Sequence, residues 1–336
     1  MAIFQTDLPL ATTLQRLFMS ALLVALLPIV AKAKQQQRLG GSPLPPSSNS
    51  AHSPNKSSAD PAYAAFEKGI YLQALKLAKA QANKGEMQAF TLVGRIYADG
   101  LGVAKDLTKA AQWYAGGAER GDKYAQFALA MQLASGQGVK RDIKQAADLF
   151  EAAAVQGHGL SQYNLGLIYV SGNGRPANME KAAAWLKKAA LQDEVHAQYD
   201  LGSLYLEGAG VALDKKKAAK WIGRAAKAGL NTAELEYGLM LYLGKGVTKN
   251  RQEGARYMLL AANQGNPVAQ NRVANLYAYG LVFKQDLVEA AKWHLLARKR
   301  GASDIRLDLK IARMPKPQRQ IAQTRAQLWS QRNRQP

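Results

Sequence analysis

Residues 86–121 read EMQAFTLVGRIYADGLGVAKDLTKAAQWYAGGAERG, and residues 122–157 read DKYAQFALAMQLASGQGVKRDIKQAADLFEAAAVQG. Set one above the other, the two blocks agree in the placement of small, apolar and turn residues. Both are 36 residues long, and four further blocks follow with no insertion, beginning at His158, Glu194, Leu230 and Asn266. A fixed period of this length signals a stack of supersecondary units.

The shared positions have a physical reading. Position 4 of each block holds Ala89, Ala125, Ser161, Ala197, Ala233 and Ala269; position 8 is apolar or aromatic, from Val93 to Val273. Position 12 holds Tyr97, Leu133, Tyr169, Tyr205, Leu241 and Tyr277. Steps of four place these residues on one face of a helix. Position 9 is small throughout: Gly94, Ala130, Gly166, Gly202, Gly238 and Ala274. Mid-helix glycine costs about 1 kcal/mol against alanine, so its return requires close approach by a neighbouring helix. A Gly-x-Gly turn then ends the first helix, as in Gly100-Leu101-Gly102 and Gly244-Lys245-Gly246. Its glycines permit positive φ. Asp106, Asp142, Asn178, Asp214, Asn250 and Asp286 at position 21 stand where an N-cap would open a second helix. That helix carries alanine pairs around a large residue at position 28: Trp113, Leu149, Trp185, Trp221, Tyr257 and Trp293. The large residue is expected to fill the space the alanines leave. Each block is thus a helical hairpin that buries its faces by stacking on its neighbours.

This pattern resembles the Sel1-like repeat, a longer relative of the tetratricopeptide repeat. The signature of alanine, Leu-Gly, tyrosine, Gly-x-Gly-Val, Asp, Lys-Ala, Trp and Ala-Ala is met almost throughout by the first and fourth blocks. The resemblance implies an all-α fold, an α/α solenoid of helical hairpins coiled into a right-handed superhelix. It also implies a non-enzymatic scaffold or adaptor for protein–protein interaction. In such folds the first helices line the concave face, and a partner would dock there. Carried over position by position, this makes Arg95, Phe127, Met131, Tyr163, Leu167, Tyr199, Leu235, Leu239 and Tyr242 the candidate partner-binding groove. Aromatic and apolar residues at helical spacing equally suit burial between helices, and the sequence leaves the two alternatives balanced.

Outside the six repeats (86–301) the chain changes character. Residues 1–33 look like an export signal, with an apolar run from Leu17 to Ala31 and an Ala31-Lys32-Ala33 cleavage pattern. Export to the periplasm is expected, and retention as an inner-membrane anchor through residues 17–31 is the alternative. Residues 34–59, rich in serine, proline and glycine, read as a disordered linker. Asp60-Pro61 opens a capping hairpin over 60–85 that lacks the long turn. After the repeats, Ile305, Leu307, Leu309 and Ile311 lead into Met314-Pro315-Lys316-Pro317, and a last helix carrying Ala322, Ala326 and Trp329 covers the open end. Residues 302–336 thus form a basic capping helix and tail.

Composition narrows function by exclusion. There is no cysteine among 336 residues, so disulfides and thiolate metal sites are ruled out. The four histidines do not pair at ligand spacing, and no HExxH, Walker or Gly-x-Ser-x-Gly motif occurs. No cofactor, metal site or nucleic-acid-recognition motif is implied. His294, next to Trp293, is expected at the surface. The net charge is +21, and residues 302–336 are the densest segment, with eight Lys and Arg against two Asp. Such a balance favours an anionic component of the envelope as a further partner. An envelope glycan- or lipid-binding protein, or a hydrolase using the basic surface, is therefore the alternative to an envelope scaffold acting in signalling or assembly.

Overall fold

Every block folds as two 13-residue helices, the last helix of the last block being one residue shorter. The computed structural model describes residues 60–333. The segments 1–33 and 34–59, read above as export signal and linker, lie outside the described residues. Among the described residues there are 16 helices and no strand. The capping hairpin is α1 (Pro61–Glu67) and α2 (Tyr71–Asn83). The repeats supply α3 (Met87–Asp99), α4 (Leu107–Glu119), α5 (Lys123–Ser135), α6 (Ile143–Val155), α7 (Gly159–Ser171) and α8 (Met179–Leu191). They continue with α9 (Val195–Glu207), α10 (Lys215–Lys227), α11 (Asn231–Leu243), α12 (Arg251–Asn263), α13 (Pro267–Tyr279) and α14 (Leu287–Arg298). Two helices close the chain, α15 (Ile305–Ala312) and α16 (Lys316–Arg332). They fall into two compact units, one up to Glu194 and one from Val195. In each unit consecutive helices pack as hairpins and successive hairpins pack on one another.

The local signals act as the spacing predicts. All six position-21 side chains accept the backbone N–H three residues on, at 2.9–3.0 Å. The N–H of the same residue donates to the position-12 carbonyl, from Asn250 to Leu241 at 2.8 Å through Asp286 to Tyr277 at 3.1 Å. Each turn is therefore pinned across its base. The first turn glycine caps its helix in the left-handed region, from φ +59 at Gly280 to +76 at Gly244. The second, where present, is also left-handed, and at Gly102, Gly138, Gly174 and Gly246 it lies against the preceding hairpin. A Cβ on Gly138 would strike the Leu107 carbonyl, and one on Gly246 would strike the Lys215 carbonyl. Where the pattern weakens, other contacts replace it. Arg175, standing where valine is usual, pairs with Asp148 and with Glu151 at 3.0 Å. Phe283 stacks on Tyr277 with ring centroids 4.7 Å apart.

The small residue at position 9 has the predicted cause, but the partner differs from the expected one. A Cβ on Gly94 would overlap the Tyr114 ring, one on Gly166 would overlap Leu186, and one on Gly202 would overlap Ile222. On Gly238 it would meet the Gly254 carbonyl and Met258. These large residues stand at position 29. Tyr114, Phe150, Leu186, Ile222, Met258 and His294 are all buried. Of the position-28 residues expected to fill the hairpin, Trp221 and Trp293 are buried and the other four sit beside the core. Trp113, Leu149, Trp185 and Tyr257 are only half-buried, with the Lys188 ammonium 3.8 Å from the Trp185 ring centre. The step of one residue along the helix explains this: adjacent residues point 100° apart, and only one of them can face the position-9 gap squarely.

His294 is a correction to the sequence reading. It is buried in the slot that other copies fill with hydrophobic side chains, and Nε2 lies 2.9 Å from the Asp308 carboxylate on α15. Arg298 donates to the same oxygen at 2.9 Å. Helix α15 was also not anticipated. The alternation of Ile305, Leu307, Leu309 and Ile311 hides the helical period, and the Asp304 side chain caps the helix by accepting from Arg306 at 3.0 Å. Trp329 on α16 meets Trp293 edge-to-face at 6.1 Å, in the capping role expected of it.

Two alanine substitutions separate backbone strain from hairpin contact. Gly229 has φ +83 and open space around its Cβ direction, whereas Gly246 has φ +72 and faces the Lys215 carbonyl. Gly229→Ala is expected to cost roughly 1–2 kcal/mol for a left-handed residue. Gly246→Ala is expected to cost about 1–3 kcal/mol more, from overpacking. Thermal melts of the two variants would measure the difference; equal losses would show that the hairpin contact carries no weight.

Candidate functional site

The candidate partner-binding residues occupy positions 6, 10 and 13 of the first helices, one helical face away from the position-4, -8 and -12 core. In the unit up to Glu194, Phe127 and Tyr163 at position 6 are half-buried, as are Arg95 and Met131 at position 10. Leu167 is buried. It lies on α7, where eight of 13 residues are buried, so its side chain belongs to helix packing. Phe127 rests on Phe150 at 6.0 Å and on the His158 imidazole at 4.7 Å. Arg95 stacks over Phe66 of the capping hairpin at 4.8 Å and reaches Asp99 at 3.6 Å. In the unit from Val195, Tyr199, Leu235 and Leu239 are half-buried, and Tyr199 donates its hydroxyl to Glu236 at 2.8 Å. Tyr242 is buried, with its backbone against Gly254 of α12 and the Arg251 guanidinium 5.5 Å from its ring. Leu167 and Tyr242 thus offer no surface to a partner, while the other seven residues keep an open edge.

Beside this strip runs a row of buried polar groups that the sequence reading passed over. At position 5, Gln126, Gln162 and Gln270 each donate to the alanine carbonyl eight residues earlier, at 3.4, 3.1 and 3.1 Å. These carbonyls end the preceding hairpin. Gln126 and Gln162 then accept from Gln156 and Gln192 at position 35, at 2.9 and 2.8 Å. The row is a polar latch between hairpins, visible in the sequence as recurrent glutamine at one repeat position. Glu234 takes the same place in the fifth copy. It accepts from Gln264 at 3.0 Å, and burial pushes its carboxyl above the usual carboxylate range.

Position 1 adds titratable groups. Asp122 is buried and caps α5, accepting from Tyr124 at 3.0 Å and from the Thr91 hydroxyl. Burial raises its pKa, against the lowering effect of those hydrogen bonds. His158 caps α7, with Nδ1 accepting from the Ser161 amide at 3.3 Å and 2.9 Å from the Ser161 hydroxyl. Burial, with the Lys123 charge adding to it, lowers its pKa to about 4. Burial also raises the Glu194 carboxyl. Among the described residues no group of three or more His, Cys, Asp or Glu could hold a metal ion, and no helix is long and apolar enough to cross a membrane. These groups read as caps and latches beside an apolar and aromatic strip.

A family model supplies the identity of the repeat. The Sel1 repeat matches residues 91–122, 123–158, 159–194, 195–230, 232–266 and 267–301. The chain belongs to the Sel1 repeat family. Its solved relatives agree. A Sel1 repeat protein from Oxalobacter formigenes is 26% identical with a TM-score of 0.63, over 74% of this chain and all of that one. A protective antigen of uropathogenic Escherichia coli with an SLR fold is 27% identical with a TM-score of 0.55, over 82% of this chain and 69% of that one. No match was found among curated proteins. Sel1 repeat proteins are generally scaffolds for protein–protein interaction and are typically not enzymes.

Two substitutions test the polar groups of this Sel1 repeat protein. Glu234→Gln supplies the missing N–H donor. The raised Glu234 pKa means that wild-type stability from this group is present in acid and lost as pH rises through the raised value. The variant is expected to melt higher at pH 7, by about 1 kcal/mol for one hydrogen bond, with the gain shrinking at low pH. His158→Asn keeps a capping side chain and removes the titration. The wild-type contribution is complete above the ordinary pKa of 6.5 and is lost as pH falls towards about 4. The fall in melting temperature between pH 7 and pH 4.5 is expected to be smaller in the variant than in wild type.

Proposed function

We propose that this Sel1 repeat protein is a non-enzymatic scaffold of the bacterial cell envelope that holds a protein partner along the first helices of its repeats. The observation that carries this reading is the strip at positions 6 and 10. Phe127, Met131, Tyr163, Tyr199, Leu235 and Leu239 recur at equivalent places on successive first helices and remain half-open to solvent. Aromatic and aliphatic side chains held on rigid helices suit an extended peptide or an amphipathic helix. Their rotamers are already restrained by neighbours, so little side-chain entropy remains to be lost on binding. The apolar run Leu17–Ala31, followed by Ala31-Lys32-Ala33, supports export to the periplasm. Regulation of signalling and assembly of the envelope are the roles that suit such a holder.

Site-directed photo-crosslinking in the producing cell tests this reading. A crosslinker at Tyr163 or Tyr199 is expected to trap the same protein species, and one at Val155, exposed on a second helix, is not. The double variant Tyr163→Ala, Tyr199→Ala is expected to recover about tenfold less of that species, as for the loss of aromatic anchors, with its helical circular dichroism unchanged. Equal trapping from all three positions would remove the strip from the mechanism.

A further inference from the structure

Terminal units of a solenoid ordinarily present a polar outer face, because nothing stacks beyond them. The C-terminal cap of this chain departs from that rule. Ile305 and Leu309 on α15 are 76% and 59% exposed, and Ile321 and Leu328 on α16 are 47% and 49% exposed. Each pair lies at helical spacing, four and seven residues apart, so each helix shows an outward apolar stripe beside the face it buries. The buried face is already accounted for by Leu307, Met314, Ala322 and Ala326.

Cations flank these stripes in sequence. Arg306, Arg313, Lys316, Arg319 and Arg332 are exposed, and none has an ion-pair partner among the described residues. The acids of the cap are engaged inward: Asp304 caps α15, and Asp308 holds His294 and Arg298. Arg325 is spent on Glu289 at 2.7 Å. The exposed sides of α15 and α16 therefore carry protruding aliphatic side chains and positive charge with no ion-pair partner among the described residues.

We infer that α15 and α16 form a docking face for an anionic lipid surface, with the four aliphatic side chains entering the headgroup boundary and the cations pairing with lipid phosphates. Charge complementarity and shape both favour this occupant. A lipid interface accepts isolated protruding side chains without a preformed pocket, and long arginine and lysine stems extend along it with their charges in the headgroup layer. Juxtaposed cations bind an anionic leaflet additively and are screened by salt. A second copy of the chain is disfavoured, because a two-fold contact through this patch would set like charges against each other. The inference does not rest on the proposed scaffold role; it adds an orientation, with the repeats held at a bilayer by their C-terminal end.

The absence of native cysteine allows a clean test on the full chain. An environment-sensitive fluorophore is attached to Leu309→Cys, to Leu328→Cys, and to Val155→Cys as a control, 71% exposed on α6. Vesicles of phosphatidylcholine alone are compared with vesicles containing about one third phosphatidylglycerol. The labels at 309 and 328 are expected to blue-shift on anionic vesicles only, and the label at 155 on neither. The variant Arg313→Gln, Arg319→Gln is expected to weaken vesicle binding at least fivefold, and salt to reverse the shift. The substituted side chains are exposed, and an unchanged melting temperature confirms that each variant folds. Four results would overturn the inference. They are no shift at 309 and 328, an equal shift at 155, a shift that grows with protein concentration in vesicle-free buffer, which would assign the face to a second copy, and an equal shift with polyglutamate, which would assign it to an acidic protein. Binding through the apolar run at residues 17–31 would leave the labels at 309 and 328 unmoved and so counts against it too.

Discussion

Hairpin closure depends on one contact repeated six times: a residue with little or no side chain on the first helix, set against a large buried residue on the second. Where position 9 is glycine, the helix axes approach until tyrosine, leucine, isoleucine or methionine fills the gap. Where it is alanine, at Ala130 and Ala274, position 29 holds the buried Phe150 and His294. In the fifth copy Gly254, one turn before Met258, also faces Gly238, and a Cβ on either glycine would strike the other's carbonyl. The volume of the pair varies among copies while the helix lengths hardly change. The glycine cost within the helix, about 1 kcal/mol, is offset by burial of the facing side chain, worth about 1.5–3 kcal/mol.

Stacking of one hairpin on the next uses different groups. The second turn glycine, at Gly102, Gly138, Gly174 and Gly246, lets the loop lie against the preceding second helix, and the glutamine latch ties off that helix's last carbonyls. Because each contact reaches only the adjacent hairpin, local substitutions can be absorbed copy by copy. Arg175 replaces the turn valine with an ion pair, Phe283 replaces it with ring stacking, and Glu234 replaces a donor with a buried acceptor. His294 is the corresponding exception at the C-terminal end, where its polar edge is used to hold α15 through Asp308.

The legible parts of the fold were those decided by local chemistry. Helix ends, N-caps at Asp106 through Asp286, left-handed turn glycines and the capping hairpin at 60–85 follow from residues near in sequence. The seating of position 29 was not legible, because its occupants share only bulk: Tyr, Phe, Leu, Ile, Met and His. The tryptophans at position 28 are more conspicuous, yet Trp113 and Trp185 ride at the rim while Trp221 and Trp293 are buried. Helix α15 was hidden because four apolar residues at alternate places mimic a period of two. Of the candidate strip, Phe127, Tyr163 and Tyr199 keep an open edge, whereas Leu167 and Tyr242 are enclosed.

The 36-residue period, the two helices within it and their caps are properties of the sequence alone, since propensity, capping and turn chemistry act within a few residues. Which apolar residues turn inward is a property of the tertiary structure. A repeat helix meets its own hairpin partner on one side and a neighbouring hairpin on another, so a single helical period serves two interfaces. The line between buried and open side chains then depends on how near those neighbours come, a distance set by the volume of residues more than a helix away.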